Sequence, residues 1–139
     1  MEIKNKKAYF NYFIIRELEA GIVLLGTEIK SIKKGSCNIT DSYIRIKNNE
    51  AFIINMYIEK YNEGSIFNHE ETRERKLLLH KKEIKKLLEE VKTEGYSLIP
   101  LRVYIKEGKA KVLIGLAKGK KLYDKRETIK KRDLEREGR

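Results

Sequence analysis

The sequence has no tryptophan, one proline and one cysteine. A lone cysteine, Cys37, excludes an intrachain disulfide and a cysteine-rich zinc site, and fits a reducing cytosol. No apolar run approaches the roughly 18 residues a membrane helix needs. The longest, Gly21-Ile-Val-Leu-Leu-Gly26, is strand-sized. The opening Met-Glu-Ile-Lys-Asn-Lys-Lys lacks the apolar stretch of a signal peptide, so a cytoplasmic protein is expected. The two histidines, His69 and His80, have no Cys or His companion at zinc spacing and read as surface or capping residues. No Ser-His-Asp set or paired-carboxylate metal motif is visible. Gly115-Leu-Ala-Lys-Gly119-Lys-Lys has glycines and lysines but lacks the Ser/Thr and strand–loop–helix setting of a phosphate loop. No enzyme, metal or cofactor is expected.

What is abundant is positive charge. Lys and Arg number 32 against 21 Asp and Glu, a net charge of +11 in 139 residues. That excess implies a polyanionic partner, most often nucleic acid. It is uneven: residues 118–139 hold ten basic side chains, five acidic ones and few apolar ones. The chain divides into a folded body, 1–117, and a basic C-terminal tail, 118–139. One domain of that size buries roughly two-thirds of its unfolded surface.

The body reads as mainly β. Ala8–Ile15 is aromatic and β-branched, and Ile22–Leu25 is a continuous apolar run, both suiting strands. Thr27–Lys34 shifts to helical spacing and stops at Gly35. Tyr43–Lys47 and Ala51–Ile58, joined at Asn48-Asn49-Glu50, form a hairpin. Residues 62–76 read as a loop. Ile84, Leu87, Leu88 and Val91 make one stripe of a helix from His80 to Thr93, ended by Gly95. Leu98–Ile105, with Pro100 marking an edge or bulge, and Lys109–Leu116 follow as strands. Six or seven short strands and two helices point to a small antiparallel barrel of the oligonucleotide-binding (OB) type.

Phosphates need cationic donors and bases need flat faces. Lys109 and Lys111 share the strand face away from the core. Arg73, Arg75 and Lys76 cluster before the long helix, and Lys4, Lys6 and Lys7 precede the aromatic strand. Cys37 reads as a small buried hydrophobe, although Lys33 and Lys34 nearby could lower its pKa.

Several segments carry a family resemblance: Asn5-Lys-Lys-Ala-Tyr9, Leu18-Glu-Ala-Gly-Ile22, Gly26-Thr-Glu-Ile-Lys-Ser31, Asp41-Ser-Tyr43, Phe67-Asn-His69, Arg73-Glu-Arg-Lys-Leu-Leu-Leu-His80 and Gly115-Leu-Ala-Lys-Gly-Lys-Lys-Leu-Tyr-Asp-Lys-Arg-Glu127. In this order, over nearly the whole chain, they resemble the SmpB family of SsrA-binding proteins. The resemblance implies an OB-like barrel that grips the tRNA-like domain of transfer-messenger RNA. It implies delivery of that RNA to ribosomes stalled without a stop codon, where the unfinished protein is tagged for proteolysis. Partners are then that RNA and the ribosome, chiefly its small-subunit RNA, with the protein a monomer.

By matching position, Glu19 looks like the family's RNA-contacting glutamate, Leu78 like its apolar partner and Lys111 like its RNA-binding lysine. The bottom-up reading of the residues supports Lys111 best. Glu19 would repel phosphate, but it can accept from a base amine or a ribose hydroxyl. Leu78 reads equally well as core. The tail residues Lys118, Gly119, Lys120, Lys121, Tyr123, Asp124, Lys125 and Arg126 look like the ribosome-facing part, disordered when free and helical in the empty messenger channel, with Gly119 a hinge. Two rivals stay open. One is a ribosomal or translation-factor barrel that binds ribosomal RNA. The other is a small nuclease, for which Asp41, Glu28 and Glu50 are poorly placed in sequence.

Overall fold

The computed structural model describes residues 2–61 and 68–121. Nine strands and three helices occur in this order among the described residues: β1 (Glu2–Lys4), α1 (Lys6–Asn11), β2 (Tyr12–Ile22), α2 (Gly26–Lys33), β3 (Cys37–Asn38), β4 (Tyr43–Lys47), β5 (Glu50–Ile54), β6 (Tyr57–Ile58), β7 (Arg75–Leu78), α3 (Lys81–Glu94), β8 (Ser97–Lys106) and β9 (Lys109–Gly119). Seven strands form one antiparallel sheet in the order β1-β8-β9-β2-β7-β5-β4, and β3 pairs with β6. The sheet curls until β4 lies close to β8, but no ladder joins them. The expected barrel is thus mainly β and antiparallel, yet not closed.

Turn chemistry sets the hairpins. Asn48 and Asn49 both take positive φ, as do Glu107 and Gly108, which is the backbone a two-residue turn between twisted strands requires. Pro100 sits inside β8, where the β8–β9 ladder shifts register between Pro100 and Arg102. A bulge absorbs the missing donor. The helix α3 buries Ile84 and Leu87 and ends where Gly95 adopts a left-handed conformation at φ 69°. Ile32, Ile53, Met56, Ile58, Leu77, Leu87, Ile114 and Leu116 are fully buried in one core.

Several expectations need correction. Lys6–Asn11 is helix rather than the start of a strand. Tertiary contact overrides aromatic β-propensity: Ala8 packs on Ile99, Leu101, Leu113 and Ala117. The buried Asn5 amide donates to the Pro100 carbonyl at 2.9 Å. The strand β2 ends at Ile22, so Val23 and Leu25 are exposed. The segment read as loop to residue 76 contains the start of β7. His69 is buried rather than a surface residue. Its Nε2 lies 2.9 Å from the Ile58 carbonyl and Nδ1 2.8 Å from the Thr27 hydroxyl. An Nε2–H donor and an Nδ1 acceptor satisfy both contacts. His80, as expected, caps a helix, α3, with its N–H donating to Glu83.

Arg75 is fully buried. Its Nε donates to Glu28 Oε2 at 2.5 Å and its Nη1 to the Met56 carbonyl at 2.5 Å. Glu28, also fully buried, accepts from Arg73 at 2.6 Å and from the Leu25 N–H at 2.7 Å. Burial alone would raise the Glu28 carboxyl. The bonds from Arg73, the Leu25 N–H and Arg75 outweigh it and hold the group below its ordinary 4.5. Removing one partner of such a pair strands the other charge. E28A should lose about 3–5 kcal/mol in urea unfolding. A depressed folded pKa gives stability that is present above pH 4.5 and lost as the pH falls through the folded value. E28Q should therefore show a flatter acid limb than the native protein.

Cys37 packs against the core, and burial pushes its thiol up to about 12, the opposite of the direction Lys33 and Lys34 would give. At pH 8 the thiol is then almost entirely protonated, and the thiolate is the reactive form. Iodoacetamide should label Cys37 slowly in the folded protein and rapidly in urea; equal rates would contradict this packing.

Candidate nucleic-acid interface

Alternation along the strands gives the sheet two faces. Ala20, Ile22, Leu77, Val112 and Ile114 point to the core, so Glu19, Gly21, Leu78 and Lys111 point away from it. Register sets these side by side. Gly21 stands opposite Leu78 across one ladder and opposite Lys111 across the other, and Lys111 stands opposite Tyr104. Four strands, β7-β2-β9-β8, thus gather residues far apart in sequence. The helix α1 covers the other end of this face through Leu113 and Ala117.

Leu78 is 55% exposed, which removes the reading of it as core. It leans across Gly21, where an added Cβ would lie 3.3 Å from Leu78 Cδ1. Glu19 is exposed beside it. One carboxylate oxygen accepts from the Tyr104 hydroxyl, and the other lies 3.6 Å from Lys106 Nζ. The Tyr104 hydrogen bond, then the charges of Lys106 and Lys111, hold the Glu19 carboxyl below its ordinary value. Desolvation and the bond to Glu19 push the Tyr104 phenol up to about 12. The patch offers an ionised acceptor, ammonium donors and an apolar platform within a few residues, a set that suits unpaired RNA. Sequence reasoning missed Tyr104 and Lys106, whose only signal was their alternation with buried Val103.

The remaining candidates separate. Lys109 is exposed opposite Lys106 at the tip of the β8–β9 hairpin. Lys6 is exposed on α1. Lys76 is exposed and pairs with Glu50 at 2.8 Å. It also rims an open groove of about 1000 Å³ between α3 and the β4–β5 turn, with Lys81, Lys85 and Lys92 around it and Leu78 at its edge. Arg75 is withdrawn as a binding residue, because its guanidinium is spent on Glu28 and backbone carbonyls. The carboxylates weighed for a metal do not converge: Glu28 is buried among arginines and Glu50 faces Lys76.

Lys118 and Gly119 lie on β9, paired with Phe13 and Tyr12, so the sheet extends two residues beyond the expected boundary at 117. The Lys120 N–H donates to the Asn11 carbonyl at 2.8 Å, and its ammonium lies 4.9 Å from the Phe13 ring centroid. Lys121 is exposed. Tyr123, Asp124, Lys125 and Arg126 lie outside the described residues.

Comparison with known proteins decides the family. The profile of the family described as SmpB protein matches residues 2–139. The chain belongs to the SmpB family. It is 60% identical over 134 residues to the SsrA-binding protein of Shouchella clausii (strain KSM-K16), covering 96% of this chain and 86% of that one. It is 58% identical to the SsrA-binding protein of Enterococcus faecalis (strain ATCC 700802 / V583), covering 96% and 87%. A chain in the solved structure described as "tmRNA-SmpB: a journey to the center of the bacterial ribosome" superposes with a TM-score of 0.72 at 45% identity, covering 87% of this chain and 85% of the other. No helix among the described residues is long and apolar enough to cross a membrane.

Proposed function

We propose that this protein binds the tRNA-like domain of transfer-messenger RNA and delivers it to stalled ribosomes for trans-translation. The barrel grips the RNA, and the basic tail senses the empty messenger channel. It acts in the cytoplasm as a monomer and does no covalent chemistry. The observation that carries the RNA-binding reading is the patch on β7-β2-β9-β8. Leu78, Glu19 and Lys111, matched to the family by sequence position, come together on one solvent-facing surface.

Each group has a role suited to RNA. Lys111 supplies a formal charge to a phosphate. Leu78 offers an apolar surface to a base or sugar. Glu19 accepts from an amine or a 2′-hydroxyl, the group that distinguishes RNA from DNA. Lys109 and Lys6 extend the cationic field toward the RNA, and Lys76 does so at the groove edge. The tail follows Lys118, Gly119 and Lys120, which the sheet already holds, and through Lys121, Tyr123, Asp124, Lys125 and Arg126 it meets ribosomal RNA phosphates.

Binding to transfer-messenger RNA should be far tighter than to bulk tRNA or ribosomal RNA; equal affinities would return the protein to the class of general ribosomal-RNA binders. Lys111→Ala should weaken that binding and reduce the slope of log affinity against log salt by about one unit. An unchanged isotherm removes Lys111 from the site. Replacing Asp124, Lys125 and Arg126 together with Ala should leave RNA affinity near normal and abolish tagging in a reconstituted translation system. Persistent tagging would refute the tail's role.

A further inference from the structure

We propose that Tyr104, assisted by Lys106, is a positioning residue that fixes the Glu19 carboxylate as an acceptor for hydrogen-bond donors on the RNA. This rests on the reading of the β7-β2-β9-β8 face as the RNA surface. Tyr104 stands on β8, and β9 lies between it and β2. Its side chain crosses β9 beside Lys111, and its hydroxyl donates to Glu19 Oε2. The ring packs against the small core of Ala8, Ile99, Leu101, Leu113 and Ala117, so packing sets the position of the hydroxyl. Lys106, two residues along the same strand, approaches the other oxygen at 3.6 Å.

A glutamate on an open strand samples several rotamers, and ordering it on binding costs free energy. Here β8 orders it beforehand. The contacts also change what the carboxylate offers. Lys106 and Lys111 offset its charge, which reduces repulsion of nearby phosphates. An ionised carboxylate accepts about four hydrogen bonds, so both oxygens keep acceptor capacity for the RNA. The phenol stays protonated at neutral pH, since its pKa is about 12. The groups on RNA that suit this acceptor are base amino and imino N–H groups and ribose 2′-hydroxyls.

The test is a double-mutant cycle in the full chain, read as dissociation constants for the isolated tRNA-like domain. Y104F keeps the ring and its packing and removes only the donor. It should weaken binding about tenfold. E19A should weaken it at least as much, and Y104F/E19A should bind no more weakly than E19A alone. The inference is overturned if Y104F binds like the native protein, or if the two losses multiply. A loss of affinity through general destabilisation would multiply and is caught by that second outcome. K111A separates the two levels: if K111A and E19A both bind normally, the RNA-surface reading fails as well. If they bind weakly and Y104F does not, only this inference fails. Single 2′-deoxy substitutions in the RNA loops then distinguish the donors. Coupling between positions 19 and 104 that survives every substitution assigns a base N–H, and coupling that one substitution erases assigns a 2′-hydroxyl; both support the proposal.

Discussion

The buried pair of Glu28 and Arg75 decides which side of β7 faces the core. The run Leu77-Leu78-Leu79 cannot choose by hydrophobicity, because any of its members would suit the interior. Arg75 can choose: its guanidinium reaches inward to Glu28 on α2 and to the carbonyls of Met56, Glu70 and Glu71. Strand parity then sends Leu77 inward with it and turns Lys76 and Leu78 outward. A slip of one residue would bury Leu78 and strand Arg75 in solvent, leaving Glu28 buried without its partner. A buried ion pair adds little net stability over an apolar substitute. Its consequence here is register, and through register the exposure of Leu78 beside Gly21.

That dependence explains what was legible in the sequence. The helix α3 announced itself because its stripe and its terminal glycine are local signals. The β4–β5 and β8–β9 hairpins did so through alternation and turn residues at 48–49 and 107–108. The face of Lys111 was readable from the alternation of β9. Arg75 was misread because a charge in sequence looks the same whether it faces phosphate or a glutamate 47 residues away. Leu78 was undecidable for the matching reason, its orientation being set by that distant partner. The helix α1 was hidden because Tyr9 and Phe10 favour strands, while what folds them is the anchoring of Asn5 and Ala8 against β8. His69 was misread in the same way, since the carbonyl and hydroxyl that hold it come from residues 58 and 27.

A protein of net charge +11 needs no special design to attract RNA, and attraction alone does not select one RNA. Selection requires groups that reject the wrong partner. The patch carries a carboxylate among its lysines, and a carboxylate facing a bare phosphate is repulsive. Only an RNA surface that brings a donor to Glu19 while bringing phosphate to Lys111 satisfies both. On the proposed function, the long-range field would bring RNA to the surface and the mixed patch would discriminate at contact.

The geometry of β9 also keeps the proposed RNA-binding patch apart from the start of the proposed sensing tail. Lys111 lies near the start of this strand and Gly119 at its end. Eight residues of extended chain separate them by about 27 Å. The β2–β9 ladder runs to the Tyr12–Gly119 pair, and the Lys120 N–H bonds to the Asn11 carbonyl just beyond it. The backbone is therefore held in the sheet until the tail begins. Lys111 and Leu78 therefore stand toward one end of β9, and the chain leaves the sheet at the other. On the proposed function, this separation is what lets substitutions beyond β9 act without touching the RNA-binding patch.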